Sequence, residues 1–379
     1  MNMPSLRILK TYLCEGPTTV ARSVQLIWCQ TRFYFLLLAG FSLLLGTPFN
    51  GLADEAEIPD WLQERMTLRV SNRRDNGDMI ALVRPLAESI GDSVVQVVSD
   101  GKAVALGVVV AAEGYVLTKR SELSGDPSPI RVRLADGRLF DARVAAVRRK
   151  NDLAILRVEG VTGKLPVAKI IDVSPSVGSF LISAGRGGTP VGIGVVGVAL
   201  RKVEHQSRLG VVLDDRQGQV TVSGVWPDSG AEEAGVVAGD RILAINGRNE
   251  TNRSSVISRL RDIFPGESVQ LTILRGSEKL EMNAKVRESR VLEESENDSK
   301  VNGPRSTRLS GFEQVIQHDT VLNPDECGGP ILDSQGRFVG INIARAGRVV
   351  SLALPASIVI SDTVSMLQEA RNALNQTTK

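Results

Sequence analysis

The stretch NPDECGGPILD, residues 323–333, sets a lone thiol, Cys327, in front of two glycines, a proline and an apolar run. A thiol in such a turn can act as a nucleophile if a base or a depressed pKa supplies the thiolate. It can equally be the remnant of a nucleophile or a small buried residue. The chain offers little to activate it. Of its two histidines, His318 lies nine residues upstream on a predicted strand and is expected as a surface or core residue. His205 falls in a connector and is expected to be solvated. Asp325 and Glu326 immediately precede the thiol, and two carboxylates there should keep it neutral and repel a developing oxyanion. So few Cys and His residues exclude a Cys/His zinc site, and no metal or other cofactor is implied. Gly328, Gly329 and Pro330 are expected for backbone reasons, since a tight turn favours residues without Cβ.

The elements that must position Cys327 come from a chain of 379 residues, 42% hydrophobic but only 4% aromatic, long enough for more than one core of Val, Ile, Leu and Ala. Residues 1–53 read as a signal peptide. Basic residues flank about fourteen apolar positions, Phe33 to Gly46, too few for a spanning helix, and small residues follow up to a cleavage point after Ala53. The alternative is an uncleaved signal anchor, because the segment before the apolar run is long. Either way the remainder is expected to be exported, to a periplasmic or extracellular space. Beyond the leader the chain carries 41 basic and 42 acidic residues, giving no electrostatic case for nucleic acid. Cys14 and Cys29 lie in the leader, so Cys327 is the only mature thiol.

Residues 54–78 read as a linker. Apolar spacing at Ile80, Val83, Leu86 and Ile90 predicts a helix. From Ser93 onward short β-branched runs broken by Gly, Asp and Pro predict a small barrel or sandwich. Gly192, Gly194 and Gly197 match the spacing of a dinucleotide fingerprint, but the β-branched run continues through them and no helix opens, so they are assigned to barrel strands. Residues 289–310 are polar and read as a second linker. β-type sequence resumes at 311 and ends in a C-terminal helix to about Leu374.

Between these parts, residues 205–288 resemble a complete PDZ domain. The resemblance rests on SGAEEAGVVAGDRILAING, with its Asn246-Gly247 hairpin signal, and on Arg208-Leu209-Gly210-Val211, which corresponds to that family's carboxylate-binding loop. It implies that peptides or protein C-termini add as a strand near Val211, held by N–H groups of Leu209, Gly210 and Val211. Val256 and Leu260 would line the pocket for the last side chain.

The flanking β segments, 79–204 and 311–379, together resemble the chymotrypsin-like protease domain of the HtrA/Deg family through most of residues 80–200 and 311–362. ALGVVVAAEGYVLT, RKNDLAILRV and FEQVIQHDTVLNPDECGGPILDSQGRFVGIN occur in that family's order. The implied fold is mostly β, a chymotrypsin-like double β-barrel with an inserted α+β PDZ domain. Carried over position by position, the family's catalytic His falls on Ser121, its Asp on Asp152, its nucleophile on Cys327 and its oxyanion Gly on Asp325. No intact catalytic set remains. The resemblance therefore implies an exported pseudoprotease with a quality-control or scaffold role. The alternative is an endopeptidase of serine or cysteine type with an unconventional base. A homo-oligomer is compatible with either.

Overall fold

The computed structural model describes residues 76–123, 129–216 and 218–377. The leader and nearly all of the first linker lie outside the described residues. No described helix is long and apolar enough to cross a membrane.

The first helix, α1 (Gly77–Gly91), is capped by Asn76, whose side chain accepts from the Met79 N–H. Its Val83, Ala87 and Ile90 are buried. Six strands follow: β1 (Val94–Ser99), β2 (Lys102–Ala111), β3 (Tyr115–Lys119), β4 (Ile130–Arg133), β5 (Leu139–Arg148) and β6 (Leu153–Val158). They close into an antiparallel barrel in the order β1-β2-β3-β6-β5-β4. Strand alternation explains their composition. Val95, Val97, Val109, Val116 and Leu156 fill one cluster, while their neighbours Val94, Val108, Leu117 and Ile155 join a larger core shared with α1 and the second barrel.

That second barrel begins with β7 (Phe180–Ala184) and β8 (Pro190–Val203). The glycines that mimic a nucleotide fingerprint lie inside β8. A Cβ on Gly194 would sit 2.1 Å from Thr320 Oγ1 and one on Gly192 2.8 Å from Thr320 Cγ2, so these two permit close chain approach, while Gly197 faces open space.

After β8 the chain departs into a separate α+β module. It comprises β9 (Ser207–Arg208), β10 (Val211–Arg216), β11 (Gln219–Val225), α2 (Gly230–Glu233), β12 (Arg241–Ile245), β13 (Arg248–Asn249), α3 (Arg253–Arg261), β14 (Ser268–Arg275), β15 (Glu278–Lys285) and β16 (Arg287–Glu288). Its sheet runs β10-β11-β12-β14-β15 over a core of its own. Asn246 and Gly247 both adopt positive φ between β12 and β13, as a two-residue hairpin requires. β9 pairs with β16, bringing the two ends of the module together.

The polar stretch after β16, expected as a plain linker, holds two short helices, α4 (Ser289–Leu292) and α5 (Glu296–Asn302). Ser306, Arg308, Leu309 and Ser310 at its far end are buried. Composition did not reveal this, because Ser306, Arg308 and Ser310 are buried through hydrogen bonds and only Leu309 is apolar. The second barrel then resumes with β17 (Phe312–His318), β18 (Pro330–Asp333), β19 (Phe338–Gly347) and β20 (Val350–Pro355), closing in the order β17-β20-β19-β18-β7-β8. The inserted module thus interrupts the connection from β8 to β17 but not their pairing, for Phe312 pairs with Val203. Helix α6 (Ala356–Thr377) packs Val359, Met366 and Ala370 into the shared core.

His318 is a core residue of β17, its Nδ1 2.8 Å from Thr320 Oγ1. Burial pulls its imidazole down from 6.5 to about 4, against Asn342 and Asp319. The folded state keeps it neutral, whereas the unfolded chain takes up a proton below about pH 6.5. Its contribution to stability is therefore complete above pH 6.5 and is lost as pH falls toward 4. In urea unfolding, the stability advantage of the natural chain over His318→Gln should shrink by about 3 kcal/mol between pH 7 and pH 4. A gap independent of pH would contradict this assignment.

Candidate functional site

Cys327 follows a 3-10 turn, Pro324–Glu326, whose capping box joins the Asn323 N–H to the Glu326 carboxylate. The turn consumes the backbone donor a nucleophile loop would offer, since the Cys327 N–H points to Pro324 O at 3.3 Å. Behind it the chain is clamped between the two barrels: Leu106 N–H of the first donates to Cys327 O at 2.9 Å, and Gly328 N–H donates to Asn342 O of the second at 2.6 Å. A Cβ on Gly328, at φ +95°, would fall 2.2 Å from Leu106 O. The glycines after the thiol thus serve the approach of the two barrels.

The thiol is fully buried. Its sulfur lies 3.8 Å from Ser306 Oγ and 3.7 Å from Asn323 O. Burial pushes the Cys327 thiol up, with Glu122 acting in the same direction and Lys119 against it. The expectation that Asp325 and Glu326 would supply the repelling charge needs correcting. Burial dominates and the carboxylate that counts is Glu122, because the 3-10 turn ties Glu326 back to Asn323. Asp325 lies within that turn, and its backbone is not left-handed.

Ser121 and Asp152 are brought together at the end of β3. Asp152, at φ +57° after the β5–β6 turn, accepts from the Ser121 N–H at 2.9 Å and from the Ser121 hydroxyl at 2.7 Å. Burial raises the Asp152 carboxyl, opposed by Lys119, Arg308 and the Ser121 bond. A hydroxyl that donates to a carboxylate can take no proton from a nucleophile. No hydrogen bond links Ser121 or Asp152 to Cys327 among the described residues.

Lys119 was not legible as a site residue. It ends β3 fully buried, its ammonium 2.9 Å from Glu122 Oε1. Burial alone would lower its pKa, but Glu122, Cys327 and Asp152 outweigh burial and the net shift is upward. Lys119 is therefore a bound cation and not a poised base. Glu122 also accepts from the N–H and the hydroxyl of Thr307, each at 2.8 Å. The alternation of β3 placed Lys119 inward, a weak signal. Nothing in the polar composition of residues 303–310 pointed to Ser306 or Thr307.

The second candidate site is the groove between β10 and α3, a cavity of about 350 Å³. Gly210, at φ +90°, cannot carry a side chain, because a Cβ would lie 2.1 Å from Ser229 Cβ. The loop's carbonyls face the domain: Leu209 O accepts from Ala231 N–H at 3.0 Å and Gly210 O from Trp226 N–H at 2.8 Å. Trans peptide geometry then turns the Gly210 and Val211 N–H groups the opposite way. Arg208 stacks over Trp226 and pairs with Glu293 at 3.0 Å. Leu260 lines the cavity as expected. Val256 does not, for it is fully buried in the domain core, and Ile257 lines the groove in its place. One residue along a helix turns the side chain by about 100°, which is enough to exchange core for groove.

The groove module is docked on the first barrel. Glu267, nearly buried, receives Arg120 at 2.6 Å and Arg149 at 2.5 Å and 2.8 Å. His205, expected to be solvated, is half-buried, with Nε2 2.8 Å from Ser207 Oγ and its ring 4.8 Å from that of Phe264.

Two closed six-stranded barrels with a peptide-groove module define a trypsin-like architecture joined to a PDZ domain. Comparison with known proteins agrees. Residues 207–286 match the PDZ domain family. The periplasmic pH-dependent serine endoprotease DegQ of Escherichia coli K12 is 22% identical over 355 aligned positions, covering 67% of this chain and 77% of DegQ. The periplasmic serine endoprotease DegP of Salmonella typhimurium is 33% identical over 90 residues, 23% of this chain and 18% of DegP. The chain is thus similar to HtrA/Deg-type trypsin-like proteases over two thirds of its length and carries a PDZ domain.

The Lys119–Glu122 pair makes a direct prediction. Glu122→Ala strands a buried ammonium and should cost on the order of 3–5 kcal/mol in chemical denaturation. Lys119→Met with Glu122→Gln should recover most of that loss. Equal destabilisation of the single and double variants would show that the pair is not the source.

Proposed function

We infer that this chain is an exported pseudoprotease that binds peptides or protein C-termini through its PDZ groove without hydrolysing them. One observation carries the reading: at the position where the family's mechanism needs a base, Ser121 donates its hydroxyl to Asp152. Burial of Cys327 and the engaged N–H behind it support the same conclusion. On this reading Ser121, Asp152 and Cys327 are the relics of a catalytic triad, and Asp325 stands at the former oxyanion turn. The leader and the periplasmic relatives support export. Leu209, Gly210 and Val211 hold the ligand carboxylate, Arg208 flanks that loop, and Leu260 with Ile257 receives the last side chain.

The competing reading, a cysteine-type endopeptidase, draws on Lys119, which lies close enough to act on the thiol electrostatically. Its ammonium is held by Glu122 and would first have to surrender its proton. Incubation of the full chain with unfolded casein discriminates. No cleavage is expected from the natural chain or from Cys327→Ser, since a hydroxyl without a base stays protonated near neutral pH. Cleavage abolished by Cys327→Ala would establish the enzyme.

For the groove, fluorescence anisotropy with C-terminal peptides should show the free-acid form binding roughly ten-fold or more tighter than its amide. Ile257→Ala should weaken binding at nearly unchanged stability. Val256→Ala should instead cost stability, on the order of 2 kcal/mol. Equal binding of acid and amide would remove the carboxylate loop from the argument.

A further inference from the structure

The PDZ module leaves and re-enters the second barrel at nearly one point. Glu288, its last strand residue, accepts from the Leu309 N–H at 2.6 Å and the Ser310 hydroxyl at 2.9 Å. Ser289 N–H donates to Gln206 O at 3.0 Å, and Gln206 N–H to Ser310 Oγ at 3.0 Å. The chain could pass from 288 into β17 with hardly any connector. Instead residues 289–308 make a 20-residue excursion through α4 and α5. Most connections in compact domains are about 4–6 residues, and this longer one passes beside the thiol at Ser306.

At its far end the excursion lies along β19. Ser306 N–H donates to Arg345 O at 3.1 Å, and Arg345 N–H donates to Ser306 Oγ at 3.0 Å. The same hydroxyl is 3.8 Å from Cys327 Sγ. Thr307 is fixed to Glu122 by two bonds of 2.8 Å. The Arg345 guanidinium donates to Asn302 O at 3.1 Å, and Arg305 is paired with Glu294 within the excursion. Gly266 of the PDZ module closes the remaining side, its Cβ position falling 2.6 Å from Thr307 Cγ2 and 3.6 Å from Ser121 Cβ.

We propose that residues 289–308 form a cis-acting cap, whose tip at Ser306 and Thr307 occupies the cleft beside Cys327, so that the cleft opens only when the chain withdraws its own segment. The cap adds to β19 as an extra strand would, with backbone and hydroxyl contacts that an extended peptide segment could replace. The segment is held to the PDZ module at one end through Glu288 and to the first barrel at the other through Glu122. The proposal stands apart from the PDZ groove's ligand and from any catalytic past of the thiol.

Alkylation of Cys327 tests it. The full chain is treated with N-ethylmaleimide, and the peptide bearing Cys327 is followed by mass spectrometry, which keeps Cys14 and Cys29 out of the readout. Natively, labelling should be at least roughly a hundred-fold slower than in urea. Thr307→Asp sets a carboxylate against Glu122, and replacing residues 290–307 by a short Gly/Ser linker removes the cap. Each, scored below its own thermal transition, should label roughly ten-fold or more faster than the natural chain. Val301→Asp, on the exposed face of α5, should not change the rate. Ser306→Cys needs no opening and should form a disulfide with Cys327 under mild oxidation. A folded cap variant that labels at the natural rate, fast labelling of the natural chain, or failure of Ser306→Cys to cross-link would each overturn the cap.

Discussion

The guanidinium of Arg308 is the joint on which the assembly turns. It is fully buried, and removing such a charge from water costs several kcal/mol unless its donors are met. Here four of its five N–H donors are met by carbonyls: Arg149 O and Lys150 O in the turn before Asp152, and Ser310 O and Gly311 O at the entry to β17. Its plane stacks on Phe264 of the PDZ module at 3.9 Å and on Phe312 at 4.7 Å. Asp152, Glu288 and Glu267 surround it electrostatically, and although burial lowers its pKa to about 10, it remains a cation near neutrality. One side chain therefore ties the first barrel, the second barrel and the inserted domain together.

Around that joint the ends of the barrels carry paired polar and charged groups. Lys119 is bound by Glu122, Glu122 by Thr307, and Asp152 by Ser121. Each pair is satisfied in place, and satisfied buried pairs resist the proton movements that acid–base catalysis needs. The proposed loss of proteolysis is thus more than the loss of one histidine. Ser306 Oγ lies 3.8 Å from the buried thiol beside these pairs.

The insertion point explains why the PDZ module and the cleft are neighbours. Because β8 and β17 pair antiparallel, a domain placed between them must return to its starting point. The β9–β16 pairing and the Glu288 contacts accomplish this. The module is then placed over the end of β3, where Glu267 meets Arg120 and Arg149. Its groove lies elsewhere on the same module, so ligand binding and cleft packing share one rigid core while using different faces.

The two barrels and the inserted domain were legible in the sequence because their signals are local. Strand alternation, glycine turns and the Asn246-Gly247 hairpin depend on residues a few positions apart. Cys327, Ser121 and Asp152 could be found from motif order, and the glycines of 328–329 from their turn. The groove's helix was found, but Val256 was placed on the wrong face, because a single-residue error in helical phase exchanges core for surface. Only the tertiary structure revealed what neutralises and covers the thiol. Lys119 and Glu122 lie nearly two hundred positions from Ser306, Thr307 and Arg308, and the last three are polar in a stretch that composition assigns to solvent. Their burial is decided by partners that folding brings to them, and pairings between distant residues leave no periodicity in either segment to be read.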